Sequence, residues 1–173
     1  MRRFGIVGLV LAAALVLAVP ARPDTHDAWL TTKIKIALLT ADGVSASAVN
    51  VDSQEGTVTI HGKVKTADEK AKAESVARQV DGVKDVKNLL QVVPEAEKEI
   101  VKATDESISN GVEAALQADR ALDSVKVGSV NKGVVLLKGK APDLNAKLKA
   151  IELTLATPGV KRVASEIETA PQK

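Results

Sequence analysis

The stretch GTVTIHGKV, Gly56–Val64, decides the fold, because a near copy of it, GVVLLKGKA, occupies Gly133–Ala141. In both stretches apolar residues recur at every second position, which is typical of a strand with one buried face. The residues that share the buried phase are Val58, Ile60, Gly62 and Val64 in the first copy and Val135, Leu137, Gly139 and Ala141 in the second. The alternation therefore predicts two equivalent strands in a duplicated unit.

A shorter alternation and a loop precede each of these strands and predict an antiparallel hairpin. The loops are assigned to residues 52–56 and 128–133, and both contain glycine, which adopts positive φ readily. The alternating residues before the loops are Val49, Val51, Val125 and Val127.

Helical periodicity flanks each hairpin. The apolar residues at helical spacing before the hairpins are Leu30, Ile34, Ala37 and Leu38, and Ile108, Val112, Ala115 and Leu116. After the first hairpin, Thr66 and Glu69 have the spacing of a capping box, and Asp143 can cap the corresponding second helix. Gly82 and Gly159 suit helix ends, and a last strand follows each, at residues 86–92 and 163–167.

The order helix, strand, strand, helix, strand thus occurs twice. We predict an α+β fold of two tandem two-layer αββαβ domains, each a three-stranded sheet with two helices on one face. The boundaries are residues 1–21 for a signal peptide, 27–93 for domain 1, 94–103 for a charged linker and 104–169 for domain 2, with the first turns of the next helix as the alternative for the linker.

The first residues have the pattern of an export signal. Arg2 and Arg3 precede the apolar run Phe4–Val19, and Ala21 provides a small residue for cleavage. A retained membrane helix is the alternative, but the run is shorter than the roughly 20 residues that a span needs. We expect cleavage after about Ala21 and a periplasmic protein.

Composition excludes several classes of partner. The formal net charge is +2, and loss of Arg2 and Arg3 makes it zero, which argues against nucleic acid. There is no cysteine, so neither a disulfide nor a lipid anchor on a lipobox cysteine is expected. Trp29 is the only aromatic residue after the leader, and we expect it to cover the edge of the core, with a contact residue for a partner as the alternative.

These motifs together resemble the BON domain family. The resemblance is carried by the glycine-bounded strand phrases and by Gly82-Val-Lys-Asp-Val86 and Gly159-Val-Lys-Arg-Val163, in the same order in both halves. It implies a non-catalytic envelope protein that is linked to osmotic stress and contacts phospholipid membranes.

The residues themselves predict no enzyme, cofactor, metal or small-molecule substrate. His61 has no second histidine or cysteine beside it in the pattern, and His26 has only Asp24 and Asp27 nearby, whereas a transition-metal site needs three or four ligands. No nucleophile or phosphate-binding motif is present.

The two halves differ most on the second helix of each unit. Domain 2 carries a leucine-rich line at helical spacing, where domain 1 has small or charged residues. The line is Leu144, Leu148, Ile151 and Leu155, and the corresponding residues of domain 1 are Ala67, Ala71, Glu74 and Arg78.

A second contrast lies on the predicted open face of each sheet. Domain 2 has Val134, Leu136, Lys138 and Lys140 on this face. The equivalent residues of domain 1 are Thr57, Thr59, His61 and Lys63. For the leucine-rich line, one interpretation is that the second helix of domain 2 is rotated, or that the two domains pack together through this helix. The other is a docking face for membrane phospholipids or envelope proteins, with Lys138, Lys140, Lys147 and Lys149 as head-group contacts. A periplasmic chaperone or scaffold that binds exposed apolar segments is the alternative function, and a subunit of a larger envelope assembly or channel is the third. The oligomeric state is left open.

Overall fold

The computed structural model describes residues 25–169, which form two αββαβ domains in series. The elements of domain 1 are α1 (Thr25–Thr40), β1 (Val49–Gln54), β2 (Thr57–Val64), α2 (Ala67–Arg78), β3 (Asp85–Asn88) and β4 (Gln91–Val92). Those of domain 2 are α3 (Lys98–Gln117), β5 (Val125–Asn131), β6 (Val134–Ala141), α4 (Leu144–Ala156) and β7 (Arg162–Thr169). The predicted fold class is confirmed, while the predicted signal peptide lies outside the described residues.

The second strand of each hairpin forms the middle of its sheet. β2 pairs antiparallel with β1 and parallel with β3, and β6 pairs in the same way with β5 and β7. Residues 86–92 were expected to form one strand, but β3 and β4 are separate pieces along β2. Asn88 causes the break, because its Oδ1 accepts the amide of Leu90 at 3.0 Å and the chain turns to bury Leu90.

Both hairpin turns are shorter than the loops expected from the sequence. Glu55 and Gly56 have φ of 53° and 83°, and Lys132 and Gly133 have φ of 52° and 80°. Positive φ at both central residues is the conformation of a two-residue type I′ turn, whose twist matches that of the strands. β1 and β5 therefore continue further than expected, β5 with a register shift between Val127 and Ser129.

An aspartate of the first helix ties each turn to its helix. The Asp27 carboxylate accepts the amides of Glu55 and Gly56 at 2.7 and 3.1 Å. Asp105 in domain 2 accepts the amides of Lys132 and Gly133 at 2.9 and 3.0 Å. These turn amides would otherwise have no partner, so each aspartate fixes the hairpin on the helix.

The two predicted N-caps are present, but the predicted capping box is not. Thr66 Oγ1 accepts the amide of Glu69 at 3.1 Å, and Asp143 caps α4 as predicted. The Glu69 carboxylate does not close a capping box; it accepts the amides of Ser45 and Lys65 at 2.6 and 2.9 Å. Burial raises the pKa of the Glu69 carboxyl, but the hydrogen bonds from Lys65 and Ser45 outweigh it and hold the pKa below its ordinary value.

Each domain has its own core between the sheet and its two helices. The buried apolar residues of domain 1 include Leu30, Ile34, Leu38, Val58, Ile60, Ala73 and Ala77. Those of domain 2 include Ile108, Val112, Leu116, Val135, Leu137, Ala150 and Ile167. The prediction that Trp29 covers the edge of the core is wrong, because its side chain is mostly exposed.

Two equivalent glycines allow the strands of each hairpin to approach closely. Gly62 and Gly139 have φ of 138° and 117°, in the region that only glycine adopts without strain. A Cβ atom on Gly62 would overlap the carbonyl oxygen of Ala48, and one on Gly139 that of Ser124. The glycines in the repeated stretch are therefore required by backbone contacts and not only by the turn.

We expect Gly62→Ala and Gly139→Ala each to lower the free energy of unfolding more than Gly43→Ala. Gly43 also has positive φ, but its nearest neighbour is the flexible end of Lys72 at 3.8 Å. Gly43→Ala should cost about 1–2 kcal/mol for its φ alone, and the backbone overlap should add about 1–3 kcal/mol at the other two sites. Urea unfolding followed by far-ultraviolet circular dichroism measures the difference, and equal losses at all three sites would contradict this account.

Candidate interaction surfaces

The two domains pack through the faces of their sheets that carry no helices. Thr59 and His61 of domain 1 and Val134 and Leu136 of domain 2 point away from their own cores, yet all four are buried. Lys138 in β6 reaches Asp52 in β1, and Gln54 in β1 reaches Glu168 in β7. The molecule is therefore a sandwich of two sheets with α1 and α2 outside one sheet and α3 and α4 outside the other.

Because of this packing, the prediction that the sheet patch of domain 2 is exposed is wrong. Val134 and Leu136 were expected on an open face, but Leu136 is only 1% exposed. Lys138 is engaged in the domain interface, and Lys140 remains exposed beside Glu168 at 3.5 Å. Because α4 lies on the other face of the same sheet, the structure does not bring the sheet patch and the helix line together. Covering the sheet removes its apolar side chains from water, which favours this arrangement.

Besides the hydrogen bond from Gln54 to Glu168, polar contacts across the domain interface centre on two aspartates, Asp52 and Asp105. Lys138 Nζ lies 2.5 Å from Asp52 Oδ2, which also lies 2.9 Å from His61 Nε2. Around the second aspartate, Lys63 Nζ lies 2.8 Å from Oδ2 of the buried Asp105, so the aspartate that fixes the domain 2 hairpin also binds domain 1. The helical periodicity of the sequence does not distinguish Asp105 as an interface residue. One feature of the sequence does single it out: Asp27 precedes Leu30, and Asp105 precedes Ile108, by three residues in the first helix of each domain.

Asp52 is stabilised as a carboxylate by its two partners. Burial raises the pKa of the Asp52 carboxyl, but the hydrogen bonds and positive charge of His61 and Lys138 outweigh burial and lower it from 3.8 to about 2. The ionised form of Asp52 is therefore the one that the interface favours.

The leucine-rich line on α4 remains at the surface. Leu144, Leu148 and Leu155 are between 51% and 54% exposed, whereas Ile151 is partly buried and packs against the core of domain 2. Domain 1 does not cover them, since it packs on the opposite face of the domain 2 sheet. The two domains therefore do not meet through α4, and three of the four predicted residues form an exposed apolar ridge, hereafter the leucine ridge.

The equivalent surface of domain 1 is a polar network. Arg78 donates to Glu74 at 2.9 Å, and the Asn88 side chain donates to the same carboxylate at 2.9 Å. These hydrogen bonds lower the pKa of the Glu74 carboxyl, that from Asn88 being the largest contribution. The two domains share a fold but present opposite chemistry at the same helix positions.

The lysines near the leucine ridge already have partners within the chain. Lys147 Nζ donates to the carbonyl of Ile167 at 2.7 Å and so caps the edge strand β7. Lys149 Nζ lies 2.5 Å from Asp119 Oδ2, which raises the pKa of the Lys149 ammonium and lowers that of the Asp119 carboxyl. Exposed pairs are weak, so Lys149 can exchange this partner for another anion.

Residues 25–169 contain neither a membrane-spanning helix nor a cluster of metal ligands. No helix in this part of the chain is long and apolar enough to cross a membrane. No three histidine, cysteine, aspartate or glutamate side chains within the same range converge as metal ligands.

The lowered pKa of Asp52 predicts an acid-dependent loss of stability. Its folded-state pKa lies below 3.8, so its stabilisation is present above that pH and is lost as the pH falls toward 2. The side chain is 35% exposed, so we expect only about 1–2 kcal/mol. Asp52→Asn should therefore lower the unfolding free energy at about pH 6 and differ less from wild type at about pH 2.5, measured by urea unfolding. An equal difference at both pH values would show that the carboxylate charge is not responsible.

Comparison with known proteins identifies the family. The sequence matches the BON domain over residues 26–94 and 104–171. Osmotically-inducible protein Y of Escherichia coli (strain K12) is 31% identical over 147 residues, which cover 83% of this chain and 72% of that protein. An "Uncharacterized protein in gshII 5'region" of Anaplasma centrale is 33% identical over 123 residues, covering 70% and 81% of the two chains.

Solved structures show a weaker likeness. The C-terminal domain of CdsD, a structural protein of the Type III secretion system of Chlamydia trachomatis, is 11% identical with a TM-score of 0.35, over 82% of this chain and 98% of that one. A likeness at this level carries no argument about function. The duplicated helix and hairpin order and the two matched segments lead to the same conclusion: the chain belongs to the BON domain family and contains two BON domains.

Proposed function

We propose that this chain is an exported, non-catalytic envelope protein of the osmotic or envelope-stress type that binds phospholipid membrane surfaces through the leucine ridge of α4. The observation that carries the proposal is the exposure of Leu144, Leu148 and Leu155. They stay exposed although the apolar face of the adjacent sheet is buried by domain 1.

The size of the ridge fits reversible membrane association. Burying the exposed half of three leucine side chains contributes about 2–4 kcal/mol. That is enough for weak peripheral binding but not for permanent anchoring. A row of side chains on one helix is convex, and a fluid lipid surface accommodates it without a matching groove.

Electrostatics adds little to this contact. The lysine beside the ridge that can exchange its partner is Lys149, since Lys147 caps the edge strand. The chain is formally neutral once Arg2 and Arg3 are removed. We therefore expect the ridge to depend mainly on apolar insertion and only weakly on the charge of the lipid.

The comparisons support an osmotic-stress role and a phospholipid partner. The name of the Escherichia coli relative records osmotic induction, and BON domains as a family are associated with membrane phospholipids. The sequence pattern of residues 1–21 supports export to the periplasm.

A fluorophore on the ridge tests the proposal directly. The chain has no cysteine, so Leu155→Cys provides a single labelling site. An environment-sensitive dye at residue 155 should brighten and shift to the blue with phosphatidylethanolamine–phosphatidylglycerol vesicles, because the ridge enters the apolar interface. The matched control is Arg78→Cys, at the corresponding position of α2, which should not respond.

Substitution of the ridge separates insertion from non-specific adsorption. Leu144→Asp with Leu148→Asp, in the labelled chain, should weaken the response at residue 155 by about tenfold or more, since charged side chains resist burial. Ala67→Asp with Ala71→Asp adds the same charges at the corresponding positions of domain 1 and should leave the response unchanged. No response from the labelled ridge would refute lipid binding there, and suppression of client aggregation without that response would favour a chaperone.

A further inference from the structure

One edge strand of the domain 2 sheet, β5, has backbone groups without partners where it borders a cavity. We propose that this edge, at residues 125–127, binds an extended polypeptide segment that adds a fourth strand to the sheet. The proposed ligand is apolar in its middle and basic at its ends. This is a second binding activity, and it does not depend on the lipid contact proposed for the leucine ridge.

The backbone of β5 points hydrogen-bonding groups away from the sheet. The amide of Lys140 in β6 donates to the carbonyl of Ser124 at 3.2 Å, and Lys126 lies two residues further along the same strand pair. Successive residues of an antiparallel pair alternate between bonding the partner strand and facing away from it. The amide and carbonyl of Val125 and the amide of Val127 therefore face outward, because planar trans peptides point neighbouring groups in opposite directions.

These outward groups have no hydrogen-bond partner among the described residues. The matching amide in domain 1, that of Val49, donates to the carbonyl of Ala46. On the edge strand β7, the amide of Ile167 donates to Ser165 Oγ at 3.3 Å and its carbonyl accepts Lys147 Nζ at 2.7 Å. An open strand edge is a template for another strand unless such contacts block it. The first residues of β5 lack this protection.

A cavity of about 380 Å³ lies along this edge, a size typical of ligand sites. Leu116, Leu122 and Val127 contribute its apolar lining. Lys126 also lines the cavity, although its register places its side chain on the other face of the sheet, so the cavity reaches the strand edge. Val125 is only 5% exposed, so its outward groups are shielded from bulk water, and a backbone that enters the cavity would satisfy them.

The rim of the cavity is acidic. Glu113 and Asp123 line it, and neither forms an ion pair with a described residue; Glu113 accepts a hydrogen bond from Ser109 at 3.2 Å. The corresponding positions of domain 1 carry Lys35 and Ser47. An extended segment with basic residues at its ends therefore complements the edge of β5 and not that of β1.

A second copy of the chain is a poorer occupant of this edge. Pairing β5 with itself would bring two acidic rims together, which like charges disfavour. The bulge between Val127 and Ser129 also bends the strand and ends the regular edge. Such a short pairing is too weak by itself to hold two folded chains together.

Two matched peptides test the proposal, KKVTVTVKK and EEVTVTVEE. The lysine-flanked peptide should bind about tenfold more tightly in isothermal titration calorimetry at low salt, because of the acidic rim. Glu113→Lys with Asp123→Lys should reverse this preference. The matched control, Glu106→Lys with Glu152→Lys, makes the same change of charge at residues that do not line the cavity and should keep the wild-type preference.

Backbone pairing is measured by amide hydrogen exchange followed by NMR. The lysine-flanked peptide should slow exchange at Val125 and Val127 by about tenfold, because their amides gain acceptors. Exchange at Lys126, whose amide faces β6, should change little. Peptides N-methylated on the valines or on the threonines should differ in affinity by about tenfold, since only one set of peptide amides faces β5.

Several results would overturn the proposal. They are no binding of the lysine-flanked peptide at about 1 mM, equal affinities of the two N-methylated peptides, or binding that slows exchange at neither Val125 nor Val127. A dimer in sedimentation that Val127→Pro abolishes would assign the edge to a second copy of the chain instead. These measurements contain no lipid, so the dye response at residue 155 tests the leucine ridge independently.

Discussion

The structure depends on one constraint: each sheet carries helices on only one face, so its other face must be covered. The chain meets it by packing the two open faces together. That contact buries Leu136 and brings Lys138 to Asp52 and Lys63 to Asp105. It also leaves all four helices on the outside. An apolar side chain on the outward side of a helix is therefore exposed in the whole molecule and not only in an isolated domain.

Duplication makes the two domains internal controls for each other. The type I′ turns, the aspartates that bind them and Gly62 and Gly139 occur in both domains because the backbone requires them. The leucine ridge of α4 and the exposed apolar residues Trp29, Ile36 and Leu39 of α1 occur once each, on different helices, so packing within the fold does not explain them. Residues that differ between the copies are consequently the better guide to interaction, and residues that recur are the better guide to folding.

Most of the fold could be predicted from the sequence, whereas the candidate site could be predicted only in part. Strand alternation, helical spacing and the caps at Thr66 and Asp143 depend on neighbours a few residues away. The break at Asn88 and the partners of Glu69 depend on side-chain hydrogen bonds that periodicity does not report. On α4, Ile151 shares the spacing of the three leucines, but it lies closer to the sheet and packs on the core.

The sequence by itself determined that this is a duplicated α+β protein whose second domain has a leucine-rich helix, because period and spacing are local properties of the chain. Only the tertiary structure decided which apolar residues are exposed to solvent. Val134 and Leu136 are as apolar as the leucines of α4, but they lie on the face that the partner domain covers. Trp29 is exposed for the complementary reason, since the core side of α1 is already filled by Leu30, Ile34 and Leu38. Exposure depends on which surfaces meet in space, and residues far apart in the chain decide that.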